Sequence, residues 1–182
     1  QLIIGIDVIM SNKNFMLFSK IIDEKRFMSI LSGIYEHSPW VPERLITNGK
    51  IKISNKSILF LKMKSIVQNA TSAEQLKLLN MHPELGKKLQ KVSELTDFSK
   101  LEQKSVGLDK LNDNEFNVLI NLNNKYKSKF EFPFIIAVKG LTKENIINEM
   151  NKRIKNSYEQ EFTTALKEVH KIAQIRIDDI NI

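Results

Sequence analysis

The chain has 182 residues, 42% hydrophobic and 27% charged, a balance that supports one packed domain and excludes wholesale disorder. No run approaches the roughly 18 apolar residues of a membrane-spanning helix, so no membrane partner is expected, and the lack of cysteine excludes disulfides, thiolate metal sites and a cysteine nucleophile. The formal charge of +7 raises nucleic acid as a partner, yet only Arg26, Arg44, Arg153 and Arg176 of the 28 basic residues are arginine, the residue that forks onto phosphates and bases.

Residues 1–10 are apolar but short, and no signal peptide is expected from them; Met10 offers an internal start. Residues 1–22 read as an N-terminal extension and first helix region, and residues 23–182 as one domain without repeats or linkers. Phe27, Ile30, Leu31 and Ile34 follow Asp23, a plausible N-cap, at helical spacing. Pro39 and Pro42 stop that helix and open a second through Glu43 and Leu45. Ile58, Leu59, Leu61, Ile66 and Val67 mark a third from near Ser54. Ser72 with Gln75 has the form of a capping box for a short helix ending near Leu79, and Ser99 with Glu102 has the same form. Phe116, Leu119, Ile120 and Tyr126 give a longer amphipathic helix.

The pattern then changes. Residues 132–138 are continuously apolar and largely β-forming, Pro133 holds its predecessor extended, and Gly140 ends the run. Thr142 or Lys143 begins another helix. Ser157 with Gln160 caps the last one, whose apolar positions include Phe162, Leu166, Val169, Ile172 and Ile175. The expected fold is all-α, a single-domain helical bundle with one buried extended segment around 132–138. Such a segment without a partner strand leaves backbone groups to satisfy, and a ligand can satisfy them, so residues 134–138 are a candidate pocket wall.

His37, His82 and His170 are not at metal-ligand spacing, so no metal is expected. There is no G-x-S-x-G elbow and no phosphate-cradling glycine loop, so no nucleotide cofactor is expected either. His82 precedes Pro83, which biases it toward extended geometry at a helix junction, where it either bonds a helix-end carbonyl or acts as an acid or base near neutral pH. Ser99 and Glu102 either cap a helix or set a hydroxyl and a carboxylate beside an anionic ligand. Arg176, among Ile172, Ile175 and Ile177, either snorkels from the core edge or clamps a carboxylate. Arg153 lacks such an apolar setting and reads as structural or exposed. Tyr35 and Trp40 read as packing groups.

Several segments, taken in order, resemble the 2-oxo-4-hydroxy-4-carboxy-5-ureidoimidazoline (OHCU) decarboxylases of urate breakdown. They are Tyr35-Glu36-His37-Ser38-Pro39-Trp40-Val41, His82-Pro83-Glu84-Leu85, Ser99-Lys100-Leu101-Glu102-Gln103 with Gly107-Leu108, Asn123 and Tyr126 with residues 129–136, and Ile172-Ala173-Gln174-Ile175-Arg176. The resemblance implies an all-helical homodimer without cofactor or metal that converts OHCU, which also decays spontaneously to racemic product, into (S)-allantoin. It places the catalytic histidine on His82; Glu102 is then expected to act with His82 as an acid–base pair, with the division of proton transfers between them left open. It places substrate contacts on Pro83, on Ser99, Lys100, Leu101, Glu102 and Gln103, on Phe134, Ile135, Ile136, Ala137 and Val138, and on the anion-binding Arg176. The family commonly has glycine where Glu131 stands, so a positive φ there would strain this chain.

A competing class is a basic helical protein that binds RNA or an acidic partner. It would need a coherent basic face, whereas the lysines are scattered, with Lys87-Lys88 the one adjacent lysine pair. An inactive relative is a further alternative, against which every expected catalytic position carries the expected residue type. The C-terminus is not a Ser-Lys-Leu signal, so a cytoplasmic location is expected, with the peroxisome open for a eukaryotic source.

Overall fold

A computed structural model describes residues 14–47, 52–86 and 96–182. The apolar residues 1–10 and the Lys87-Lys88 pair lie outside these. The described residues form eight helices and a small sheet: β1 (Asn14–Leu17), β2 (Lys20–Asp23), α1 (Glu24–Leu31), α2 (Trp40–Thr47), β3 (Lys52–Ile53), α3 (Lys56–Gln68), α4 (Ser72–Asn80), α5 (Asp97–Ser105), α6 (Asp113–Phe130), α7 (Lys143–Arg153) and α8 (Tyr158–Asp178). Among them no helix is long and apolar enough to cross a membrane.

The fold is therefore mostly, but not purely, helical, which corrects the all-α expectation. β1 pairs antiparallel with β2, Asn14 opposite Asp23, and parallel with β3, Met16 opposite Lys52. Residues 14–23 thus make a hairpin where a first helical region was expected. Phe15 and Leu17 alternate inward, and the Phe15 ring packs 5.2 Å from Phe27 of α1. The hairpin turns at Phe18 with φ 59 and carries no Asn-Gly or Asp-Gly signal.

Local chemistry fixes most helix starts. Asp23, Asn55, Thr142 and Ser157 cap α1, α3, α7 and α8 by accepting a backbone N–H three residues on. α1 ends at Leu31, well before Pro39, and a run of turns leads to α2. Two capping assignments are corrected. Thr71, boxed with Glu74, caps α4, so the box lies one residue before Ser72 and Gln75. Thr96 caps α5, receiving the Ser99 N–H at 3.2 Å, so Ser99 and Glu102 lie inside the helix.

α8 is the centre of the molecule. Ala165, Val169, Ala173 and Ile177 are buried on it, against Leu59, Met63 and Val67 of α3, Leu78 and Leu79 of α4, and Leu119, Tyr126 and Phe130 of α6. Residues 133–138 form no strand and run buried past α7 and α8. Glu131 ends α6 at φ 61 and ψ 14, the left-handed geometry that a glycine takes without strain. Glu131→Gly is expected to stabilise the fold by about 1 kcal/mol. A calorimetric midpoint raised by about 2–4 °C checks this.

Candidate active site

Arg176 is 1% exposed, and every N–H of its guanidinium is engaged. Nε and Nη2 donate to the two carboxylate oxygens of Glu102, each at 2.8 Å, the bidentate fork that suits a planar pair. Nη1 donates to Glu36 Oε2 at 2.8 Å and to the Gly33 carbonyl at 2.9 Å, and Nη2 also reaches Ser99 Oγ at 3.3 Å. The guanidinium stands 5.2 Å over the Phe98 ring. Burial pulls the Arg176 pKa down, but the bonds and charges of Glu102 and Glu36 outweigh it and hold it above its ordinary value.

Glu36 is fully buried, and sequence reasoning assigned it no role beyond its place in a matching segment. Burial raises its pKa, whereas the charge of Arg176 and hydrogen bonds from Thr96, Ser99 and Arg176 bring the net position below the usual carboxylate value. Thr96 Oγ1 donates to Glu36 Oε1 at 2.7 Å while it accepts the Ser99 N–H.

His82 follows the C-cap of α4. Its backbone N–H donates to Leu79 O at 3.2 Å, and its Nδ1 lies 3.3 Å from Leu78 O. A carbonyl only accepts, so Nδ1 carries the hydrogen and Nε2 is left as the ring's acceptor. Burial lowers the pKa of His82 to about 4, with the charge of Arg176 acting in the same direction and Glu36 opposing it. At neutral pH the imidazole is uncharged. The turn behind it is fixed by Asn123, which donates to Leu85 O at 2.9 Å, and by Gln103, which accepts the Gly86 N–H at 3.1 Å. Gly86 has φ 68, and a β-carbon there would meet Leu119 at 2.2 Å.

These groups meet at a narrow cavity of about 30 Å³, lined by His82, Pro83, Leu85, Ser99, Glu102, Gln103, Phe134, Ile135, Ile136, Val138, Ile172 and Arg176. Positions 99, 102 and 103 share one face of α5, which is why they arrive together. The structure does not bring Lys100, Leu101 or Ala137 to this cavity. Lys100 pairs with Asp97 at 3.4 Å, Leu101 is 66% exposed because it lies on the opposite face of α5, and Ala137 faces a separate, open groove. Leu85 and Ile172 line the cavity without having been expected to.

The other histidines are placed elsewhere. His170 accepts or donates at Nδ1 with the Tyr35 hydroxyl at 2.9 Å, both groups buried, and burial lowers its pKa to about 4. His37 is largely exposed, 3.9 Å from Glu36. Among the described residues no cluster of three or more His, Asp or Glu side chains forms a metal-binding group. Arg153, read as structural or exposed, is 3% exposed and pairs with the buried Glu161.

A family model described as OHCU decarboxylase matches residues 20–178. The chain belongs to this family. It is 44% identical, over 85% of its own length, to a Bacillus protein named uric acid degradation bifunctional protein, of which it spans 30%. It is 39% identical, over 86% of its length and 89% of the relative, to a Haloferax volcanii protein named 2-oxo-4-hydroxy-4-carboxy-5-ureidoimidazoline decarboxylase. A crystal structure of (S)-allantoin synthase superposes with a TM-score of 0.62 at 32% identity, covering 82% of this chain and 48% of that one.

Two measurements test the electrostatic description. Glu36→Ala leaves part of a buried guanidinium without its partner and is expected to cost about 3–5 kcal/mol in denaturant unfolding. Lys152→Ala, which breaks an exposed pair with Glu149, is expected to cost less than about 1 kcal/mol. His82 and His170 both have folded pKa values near 4 against 6.5 for the free side chain. The unfolded chain therefore binds protons first as pH falls. The stability that both groups contribute is complete above pH 6.5 and lost toward pH 4, by about 1.4 kcal/mol per pH unit for each histidine. Unfolding curves at pH 7, 6 and 5 check the sign.

Proposed function

We propose that this protein removes CO₂ from OHCU and delivers (S)-allantoin, with the reaction in the cavity between His82 and the Glu102–Arg176 pair. One observation carries the reading: a buried, uncharged His82, held through Nδ1–H by Leu78 O, shares the cavity with a carboxylate fixed by a bidentate arginine. Membership of the family supports the same chemistry. The cavity has the volume of about one water, so substrate binding widens it.

In this reading the bond between the carbinol carbon and its carboxylate breaks and CO₂ leaves. The electron pair is taken up across the ring onto a ring nitrogen, where one proton from solvent neutralises it. The carbinol O–H then gives its proton to His82 Nε2 as a carbonyl forms, and the imidazolium returns a proton to the neighbouring ring carbon from one face. Because His82 starts uncharged, it acts first as base and then as acid. Glu102 accepts a hydrogen bond from the substrate and holds it for the transfer.

The N–H groups of Arg176 are already bonded within the protein, so a substrate carboxylate reaches it only by displacing one of these partners, of which Glu102 and Ser99 line the cavity. The role of Arg176 here is to fix Glu102, not to clamp substrate directly as the resemblance implied. Spontaneous decay of OHCU leaves the enzyme mainly a steering task, for which about 10²–10⁴-fold acid–base assistance suffices. The homodimer belongs to the same proposal, and sedimentation velocity checks it.

The deciding experiment generates OHCU in situ from urate with urate oxidase and hydroxyisourate hydrolase and follows circular dichroism. A stable (S)-allantoin signal is expected with the protein and a decaying one without it. His82→Asn should abolish optically active product while the far-ultraviolet spectrum is unchanged; full stereospecific turnover by that variant would sink the assignment. Glu102→Gln should also lose activity and remain folded, since Glu36 still balances Arg176. The rate is expected to be level above about pH 6 and to fall as pH drops toward 4, where His82 becomes charged.

A further inference from the structure

Residues 134–138 are extended backbone without a partner strand, yet one edge is not open. Arg153 Nη1 donates to Ile135 O at 2.9 Å, and Glu168 Oε2 accepts the Ala137 N–H at 2.9 Å. The two backbone groups are two residues apart and face the same side, which is the period of extended chain. A donor from α7 and an acceptor from α8 thus take the places that a neighbouring strand would fill. The same geometry turns the backbone groups of Ile136 to the opposite edge.

Both side chains are themselves held. Arg153 bonds Glu161 Oε1 through Nε at 2.8 Å and stands 4.4 Å over the Phe134 ring, while Asn156 and Tyr126 also donate to Glu161. Glu168 is 8% exposed, and its other oxygen takes Lys171 Nζ at 2.5 Å. Glu168 lines an open groove of about 850 Å³, and Ile136 lines both this groove and the His82 cavity. The extended segment is a shared wall, and its position is set from the groove side.

We propose that Glu168 and Arg153 are positioning residues for the decarboxylation: by holding the outer edge of residues 134–138 they set the place and register of the edge that this segment presents to substrate. The inference rests on the proposed function, because it takes the His82 cavity as the substrate site. Neither residue touches that cavity with a reacting group. Their effect runs through the backbone of Ile135 and Ala137.

Glu168 is the better residue to test, because removing Arg153 strands the buried Glu161. Glu168→Met withdraws the acceptor, Glu168→Asp keeps the charge but draws the acceptor back by one methylene, and Glu168→Gln keeps an acceptor of the same reach. Lys171→Met removes the outer ion pair alone. Initial rates over a range of OHCU concentrations, and the enantiomeric excess of the allantoin formed, are measured for each. Glu168→Met and Glu168→Asp are expected to raise KM at least about tenfold and to lower the enantiomeric excess, as a wall displaced by about 1 Å would. Glu168→Gln and Lys171→Met are expected to stay within about twofold of the unsubstituted protein, a rescue that a merely structural role for the charge would not give. Should Glu168→Met fail to fold, Glu168→Asp decides. Unchanged KM and enantiomeric excess in the folded variants, beside an active parent, overturn this inference alone. A parent that yields no optically active product overturns the proposed function and this inference with it.

Discussion

A guanidinium buried between two carboxylates governs how the chain is assembled. Arg176 is taken out of water at 1% exposure, which is tolerable only where its charge is matched and its N–H groups are bonded. The partners come from distant parts of the chain: Gly33 and Glu36 from the turn after α1, Ser99 and Glu102 from α5. Satisfying one side chain on α8 therefore brings the turn before α2 and the first turns of α5 to the same point. The residues that make the cavity chemical are also those that hold three segments together, so stability and site geometry share one network.

The second constraint is the backbone of residues 134–138. A buried extended segment must find partners for its N–H and C=O groups, and here side chains supply them on one edge. That arrangement needs charged groups in the interior, and Arg153, Glu161 and Tyr126 balance one another there much as Arg176, Glu36 and Glu102 do on the other side of the wall. Burial and the neighbouring Glu161 carboxylate raise the pKa of the Tyr126 hydroxyl, which keeps it a donor. Two buried ion networks thus flank a single apolar strip.

Much of this was legible in the sequence because it depends on local rules. The caps Asp23 and Ser157, the start of α7 near Thr142, the periodicity of α8 and the extended run at 132–138 are each written within a few residues, whereas the strain at Glu131 was legible only through the family resemblance. The S-x-x-E pattern at Ser99 misled because it has no unique register: Thr96 stands three residues earlier with an equally good capping hydroxyl, and α5 begins there. That shift changes function as well as boundary, since a Ser99 and Glu102 released from capping are free to meet Arg176. The hairpin escaped notice because its strands are four residues each and its turn uses Phe18 at a positive φ. Glu36, Arg153 and Glu168 act through contacts that no spacing announces, so their roles waited for three dimensions.

Thr96 joins two levels of this structure in one atom. Its Oγ1 accepts the Ser99 N–H that starts α5 and donates to the carboxylate of Glu36 that balances Arg176. Fraying of the first turn of α5 and loosening of the charge network are consequently one opening event, a single cooperative unit in place of two. The amide of Ser99 is thereby tied to the electrostatic order of the cavity, and a helix terminus, ordinarily the softest part of a helix, is fastened to the buried ion pair behind it.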